Sequence, residues 1–296
     1  QATGYAYGQK LAGDGHCTIV FFGEGAENRE GNLELGALLT LLRAVVMQET
    51  QVPELALKGF NRLLNRYEGA WMQPVRRYRA LGYLGKAELL RRQGSLIEAG
   101  RVLGRLREEY LGDTDPLQEI LTARSFLNSV SMKQELNWKE EVLEDCGRFR
   151  ERFSGTQDPE ICRADARIRF TEALTVRELG RTVQGAELLS DLYNEYARQE
   201  DPEIRLLVCR SLMERSLLEE ELGDVSRACA TLILLQNSFD GAREEEILEL
   251  LARSYTRLTG LENGAGRPEQ AREAGLRIVH REPVFPLAFF EVARLE

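Results

Sequence analysis

A spacing of 43 residues recurs along most of the chain, and it constrains the fold more than any other feature. Aromatic residues with this spacing are Tyr67, Tyr110, Phe153, Tyr196 and Phe239. Residues that favour turns form a second series, Gly94, Asn137, Gly180, Gly223 and Gly266. Small or short side chains follow five places later, at Ala99, Val142, Gly185, Ala228 and Ala271. Three series with one period predict six repeated units over about 33–282, and Gln51, Ala56 and Tyr67 fit the first.

Each unit carries the signals of two helices. The pairs Asp115-Pro116, Asp158-Pro159 and Asp201-Pro202 keep the same period, and Asp caps a helix N-terminus while Pro is tolerated at its first position. A helix of about 20 residues then runs to the Gly or Asn, and a second of about 15 ends near the aromatic. Apolar residues recur at helical spacing. The sequence therefore predicts an all-α, right-handed superhelical solenoid of about six antiparallel hairpins.

Small side chains at facing positions predict close contact between the two helices of a unit. The pairs are Ala87 with Ala99, Ala173 with Gly185, and Ser216 with Ala228. Together with the turn segments 180–185, 223–228 and 266–271, this arrangement resembles the tetratricopeptide repeat. That family has a typical period of about 34 residues, so the longer period here implies longer helices and loops. The resemblance implies a scaffold that binds extended peptides on a concave face lined by the first helix of each unit.

One position on that face is arginine in four consecutive units: Arg124, Arg167, Arg210 and Arg253. Guanidinium groups pair well with carboxylates, and Asn128 and Thr171, four residues on, add hydrogen-bonding groups. The sequence predicts a groove for an acidic segment or a C-terminal carboxylate. The alternative is that each arginine pairs with a Glu of the neighbouring unit. We expect Glu214 to pair with Arg210 along its own helix.

Composition excludes several classes of function. The formal net charge of -9 argues against non-specific nucleic-acid binding. Five cysteines at irregular spacing and two histidines predict no disulfide framework, no metal site and no histidine triad. No apolar run is long enough to span a membrane. We therefore expect a cytoplasmic protein in a reducing compartment that is not an enzyme, needs no cofactor, and has a protein or peptide partner.

Residues 1–32 do not follow the repeat. A glycine-rich stretch leads to the apolar residues 19–22 and then to Gly23-Glu24-Gly25. This segment resembles the thiamine-diphosphate-binding core of 2-oxo acid dehydrogenase alpha subunits. The resemblance implies that Glu24 binds the magnesium of the cofactor, although the Asn that the family places 25 to 30 residues later is missing. Gene fusion, a mis-joined gene or chance similarity would also account for this segment, and residues 19–22 are expected to pack on the first helices or to stay poorly ordered.

Three functions remain open on the sequence alone. The first is the peptide- or protein-binding scaffold, and the second is a fragment of a thiamine-diphosphate-dependent dehydrogenase. The third is a regulatory or sensory arm of a larger protein, because the chain begins with Gln1 and we expect something to precede it. The predicted organisation is a non-repeat segment over 1–32, repeats over 33–282 and a C-terminal capping helix over 283–296.

Overall fold

The computed structural model describes residues 30–279, and side chains over 33–276. Glu24 and the predicted capping helix over 283–296 lie outside the described residues. Within the described part there are twelve α-helices and no strand. The first helices of the hairpins are α1 (Glu30–Glu49), α3 (Gln73–Arg92), α5 (Pro116–Glu135), α7 (Pro159–Glu178), α9 (Pro202–Glu221) and α11 (Glu245–Gly264). The second helices are α2 (Pro53–Arg66), α4 (Leu96–Tyr110), α6 (Lys139–Phe153), α8 (Thr182–Tyr196), α10 (Val225–Ser238) and α12 (Pro268–Val279).

The 43-residue period is confirmed by the helix bounds. Every first helix has 20 residues, and each begins 43 residues after the one before it. The second helices also begin 43 residues apart and have 12 to 15 residues. The six predicted antiparallel hairpins are therefore present, and the all-α repeat class is confirmed.

The turn inside every hairpin has one backbone geometry. The residue in the left-handed region recurs at the predicted positions, as Gln51, Gly94, Asn137, Gly180, Gly223 and Gly266. In the fifth hairpin the amide of Asp224 donates to the carbonyl of Glu219, and the amide of Gly223 donates to that of Glu220, both within 2.9 Å. These are the two bonds of a Schellman motif, which satisfy the last carbonyls of the first helix. Since glycine enters this region without a steric penalty, four of the six turns use it.

The helices form two compact units, whose described parts are residues 30–132 and 133–279, and the boundary falls within α5. In the first unit one apolar core joins α3 and α4 through Ala87, Ala99, Leu103 and Leu106. In the second unit the predicted aromatics Tyr196 and Phe239 lie in the core, together with residues of α7 to α12. The predicted close contact of α7 with α8 is also present. A Cβ on Gly185 would lie 3.2 Å from the carbonyl oxygen of Ala173.

Candidate functional site

The candidate site in the second unit is a column of exposed arginines, defined as Arg167 on α7, Arg210 on α9 and Arg253 on α11. They occupy the same register because the three helices begin 43 residues apart. Their side chains are 49%, 47% and 65% exposed, so the guanidinium groups reach solvent. Arg124 and Asn128 lie on α5 in the first unit, where Arg124 is exposed and Asn128 half-buried.

Each arginine of the column has a carboxylate partner. Arg167 pairs with Glu203 of α9, and Arg210 lies 3.8 Å from Glu246 of α11. Arg253 instead pairs with Glu249 of its own helix, at 2.6 Å. Arg167 and Arg210 therefore pair with a Glu of the next hairpin, which is the alternative to ligand binding that the sequence left open. The repeated separation of 36 residues between arginine and glutamate is a signal that the sequence already contains.

These pairs do not exclude a ligand. Ion pairs between half-exposed side chains contribute about 0–1 kcal/mol each, because water screens them and two long side chains must be ordered. A carboxylate of a partner can therefore exchange for Glu203 or Glu246 at small cost. By the same argument, the partner's carboxylate gains little binding free energy from the exchange alone. Affinity at this surface therefore also needs apolar or backbone contacts.

Thr171 and the residues in its register lie one turn further along the same helices. Thr171 is half-buried, and its carbonyl accepts a hydrogen bond from the hydroxyl of Thr175 at 2.8 Å. The expected pair between Arg210 and Glu214 is wrong. Glu214 instead accepts a hydrogen bond from Arg177 of α7 at 3.2 Å. The reason is geometric. Arg177 of the neighbouring helix reaches Glu214, whereas the side chain of Arg210 is directed towards Glu246 of α11.

A second row of ion pairs crosses the same helices and was not predicted. Arg177 pairs with Glu221 as well as with Glu214, and Arg257 of α11 pairs with Glu220. Leu174 and Leu217 are half-buried and follow Arg167 and Arg210 by two turns, on the same side of each helix. Phe170 is also half-buried and packs against the core. The exposed face of α7, α9 and α11 thus combines charged rows with an apolar strip. We call this surface the first-helix face; it can contact both the backbone and the side chains of an extended segment.

The predicted N-caps are confirmed in the second unit. Asp158 accepts hydrogen bonds from the amides of Glu160 and Ile161, and Asp201 accepts them from Glu203 and Ile204. Asp201 also receives a hydrogen bond from Nε of Arg163, on the preceding hairpin, at 2.8 Å. Burial works against the charged form, but the Arg163 guanidinium and the two amides outweigh it, and the pKa of Asp201 lies below its ordinary value. One carboxylate therefore caps a helix and links two hairpins.

Asp201 provides a pH-dependent test of this link. Because its pKa is lower in the folded state, its stabilisation is fully present above about pH 4 and is lost as the pH falls through the folded value. We expect Asp201→Ala to cost about 1 kcal/mol through the lost cap. Asp201→Asn keeps the cap but removes the charge, so it should flatten the acid side of the stability profile. Urea unfolding at a series of pH values checks both; an unchanged profile for Asp201→Asn would contradict the assignment.

The described cysteines have the chemistry of buried side chains. Burial raises the pKa of the Cys209 thiol to about 12 and that of Cys229 to about 11, so neither is a thiolate near neutral pH. Burial also raises the pKa of Cys146 and Cys162. Within residues 30–279 no cluster of His, Cys, Asp and Glu has the arrangement of a metal site. No helix in that part of the chain is long and apolar enough to cross a bilayer.

Comparison with known proteins identifies the fold. No protein-family model matches the chain, and no curated protein matches it. The crystal structure of the apo form of RapI superposes with a TM-score of 0.61 over 86% of this chain, at 17% sequence identity. The chain spans 66% of the length of that RapI chain. A tetratricopeptide repeat protein from Parabacteroides merdae covers 88% of this chain, but its TM-score of 0.34 is too low to support an argument.

The similarity to RapI covers 86% of this chain and supports the all-helical fold described here. It concerns the fold alone, because the identity is low. The resemblance of residues 1–32 to 2-oxo acid dehydrogenases is not shown by any of these comparisons.

Proposed function

We propose that this tetratricopeptide-like repeat protein is a peptide- or protein-binding scaffold, and that the first-helix face of α7, α9 and α11 is its binding surface. The observation that carries the proposal is the register of Arg167, Arg210 and Arg253, three half-exposed guanidinium groups on successive hairpins. Helical repeats present such in-register side chains to extended partners. The proposed partner is an acidic segment or a C-terminal carboxylate, which exchanges with Glu203 and Glu246.

The ligand must also contact the apolar strip. Each exchangeable ion pair is worth about 0–1 kcal/mol, so two exchanges cannot account for micromolar binding, which requires about 8 kcal/mol. Phe170, Leu174 and Leu217 are half-buried and lie on the same helices. Apolar side chains of the partner that cover them would supply about 25 cal/mol for each Å² of apolar surface removed from water. The proposed ligand therefore alternates carboxylates with apolar side chains.

A catalytic role is not proposed. The four described thiols have raised pKa values and are buried, which disfavours a cysteine nucleophile. Carboxylates on the first-helix face are engaged by arginines, as in the pair of Glu214 with Arg177. From the composition and this surface chemistry we propose that the protein is not an enzyme and that it is located in the cytoplasm.

Charge reversal of the arginine column is the test of this function. We expect Arg167→Glu/Arg210→Glu to weaken binding of acidic peptides at least tenfold, because two guanidinium groups become repulsive carboxylates. Fluorescence anisotropy with a labelled library of acidic decapeptides, each with a free or an amidated C-terminus, measures this. Loss of binding on amidation identifies a terminal carboxylate, and retention identifies acidic side chains.

The matched control is Arg198→Glu/Arg227→Glu, which makes the same charge change elsewhere. Arg198 is an exposed residue that follows α8, and Arg227 is 76% exposed on α10. Binding should be unchanged in this variant. Equal losses in both double variants would mean that only the net charge of the protein matters, and the proposal would then fail. So would the absence of binding by any acidic peptide to the natural protein.

A further inference from the structure

The first helix exposes a continuous apolar surface. Leu35, Leu42 and Val45 of α1 are 42%, 44% and 39% exposed. Leu38, Leu39 and Val46 are half-buried beside them. At 100° per residue these six side chains occupy one arc of the helix, opposite the buried residues Ala37 and Ala44. We call these six side chains the α1 apolar face; Glu49, at the end of the helix, is the charged residue that shares their arc.

In the following hairpins one side of the equivalent face packs against the preceding hairpin. The residues 43 places after Leu39 and Leu42 are Gly82 and Gly85 of α3. A Cβ at either glycine would lie 2.6 Å from a side chain of α2, Leu63 in the first case and Phe60 in the second. The second helix of one hairpin therefore covers these two positions of the next hairpin.

The second unit repeats this arrangement. Ile168 of α7 has the register of Leu39 and is 1% exposed. Its carbonyl accepts a hydrogen bond from the Cys146 thiol of α6, at 3.9 Å. Leu35, Leu39 and Val46 thus have the register of stacking positions, since the equivalent residues of α7 are buried. Leu38, Leu42 and Val45 instead share the register of Arg167, Thr171 and Leu174 on the first-helix face. Among the described residues no hairpin precedes α1. Contiguous exposed apolar surface of this kind marks a place where another segment packs.

The segment that precedes α1 in the sequence has the composition to fill this place. Twenty-nine residues come before Glu30, and they include the apolar run Ile19, Val20, Phe21 and Phe22. Seven residues separate Phe22 from Glu30, a distance of up to about 26 Å when extended. Val46 lies about 24 Å from Glu30 along the helix axis, at 1.5 Å per residue. The run can therefore reach any part of the α1 apolar face, and Gly23 and Gly25 allow the chain to reverse.

We propose that residues 17–22 pack on the α1 apolar face and cover it as the preceding hairpin does in the inner repeats. A second copy of the chain is the competing occupant. The tethered segment has the advantage, because a short linker gives an effective concentration in the millimolar range, well above that of the protein itself. This capping assigns a structural role to the N-terminal segment that needs no cofactor, and it does not depend on the proposed peptide binding.

Disulfide trapping in the full chain tests the proposal. Phe21→Cys/Leu42→Cys is prepared with Cys17→Ser, and the four described natural cysteines are buried and do not compete. After mild oxidation and trypsin digestion, we expect a disulfide between peptides 11–29 and 30–43 within a monomer. The matched control replaces Leu42→Cys with Leu55→Cys, on α2, where the native side chain is 48% exposed; it should give at least tenfold less of the link.

A second measurement covers the case in which the cysteine variants fold poorly. Hydrogen exchange of α1 in the natural chain is compared with that of Phe21→Asp/Phe22→Asp, and we expect faster exchange over 35–46 in the variant. Equal yields of the disulfide at Leu42 and Leu55, or unchanged exchange, would overturn the proposal. A disulfide between two copies through Leu42→Cys, with a dimer by light scattering, would assign the face to a second copy instead.

Discussion

Glu109→Ala should destabilise the first unit by about 3 kcal/mol, because it leaves Arg79 buried without its carboxylate. The guanidinium of Arg79 donates to both carboxylate oxygens of Glu109, at 2.5 and 3.1 Å, and the Tyr83 hydroxyl donates to one of them at 3.1 Å. Arg79 is 2% exposed. Since the charge cannot reach water without disturbing α3 and α4, the loss exceeds that expected for a surface ion pair.

Urea unfolding followed by circular dichroism measures this loss, and hydrogen exchange of α3 and α4 locates it. Glu108→Ala removes the exposed neighbouring carboxylate and should change stability by less than about 0.5 kcal/mol. The double variant Arg79→Met/Glu109→Gln replaces the charged pair while keeping an acceptor for Tyr83. Its free energy of unfolding should lie within about 1 kcal/mol of that of the natural protein, since buried ion pairs can often be replaced by apolar groups at little cost. A loss in the double variant as large as in Glu109→Ala would mean that packing, not charge, explains the effect.

Leu232→Ala should destabilise the second unit by about 2–5 kcal/mol, the range for a fully buried leucine whose removal leaves a cavity. Leu232 is inaccessible to solvent in the core that joins α7 to α12, where its neighbours in the cluster include Leu192, Leu212 and Leu235. Its neighbour in sequence provides the control: Ile233 lies on the same helix and is 38% exposed. We expect Ile233→Ala to change the free energy of unfolding by less than about 1 kcal/mol.

The same urea experiment compares the two variants, and Leu232→Met provides a volume-conserving check that should cost less than about 1.5 kcal/mol. Similar losses for Leu232→Ala and Ile233→Ala would contradict the burial assigned to α10. Because Leu232 lies in the second unit, α3 and α4 should retain their hydrogen-exchange protection if that unit unfolds separately.

The structure changes how the arginine column is interpreted. The sequence placed Arg167 and Arg210 in one register, and the helix bounds agree. It left open whether their charge is available to a ligand or is used between hairpins, and pairing with Glu203 and Glu246 shows that it is used there. The pairs are half-exposed, so the binding hypothesis survives in a modified form that requires exchange of partners and an apolar contribution.

Local signals in the sequence determined the number of hairpins, the helix bounds, the caps at Asp158 and Asp201, and the turns such as that at Gly223. They could do so because each depends on side chains within one turn of the residue concerned. Only the tertiary structure decided which charges meet, as for Arg79 with Glu109 and Arg177 with Glu214, and which apolar side chains of α1 are exposed in the part of the chain that the structure describes. Those contacts depend on the rotation and displacement between packed helices, which a period of 43 residues does not specify.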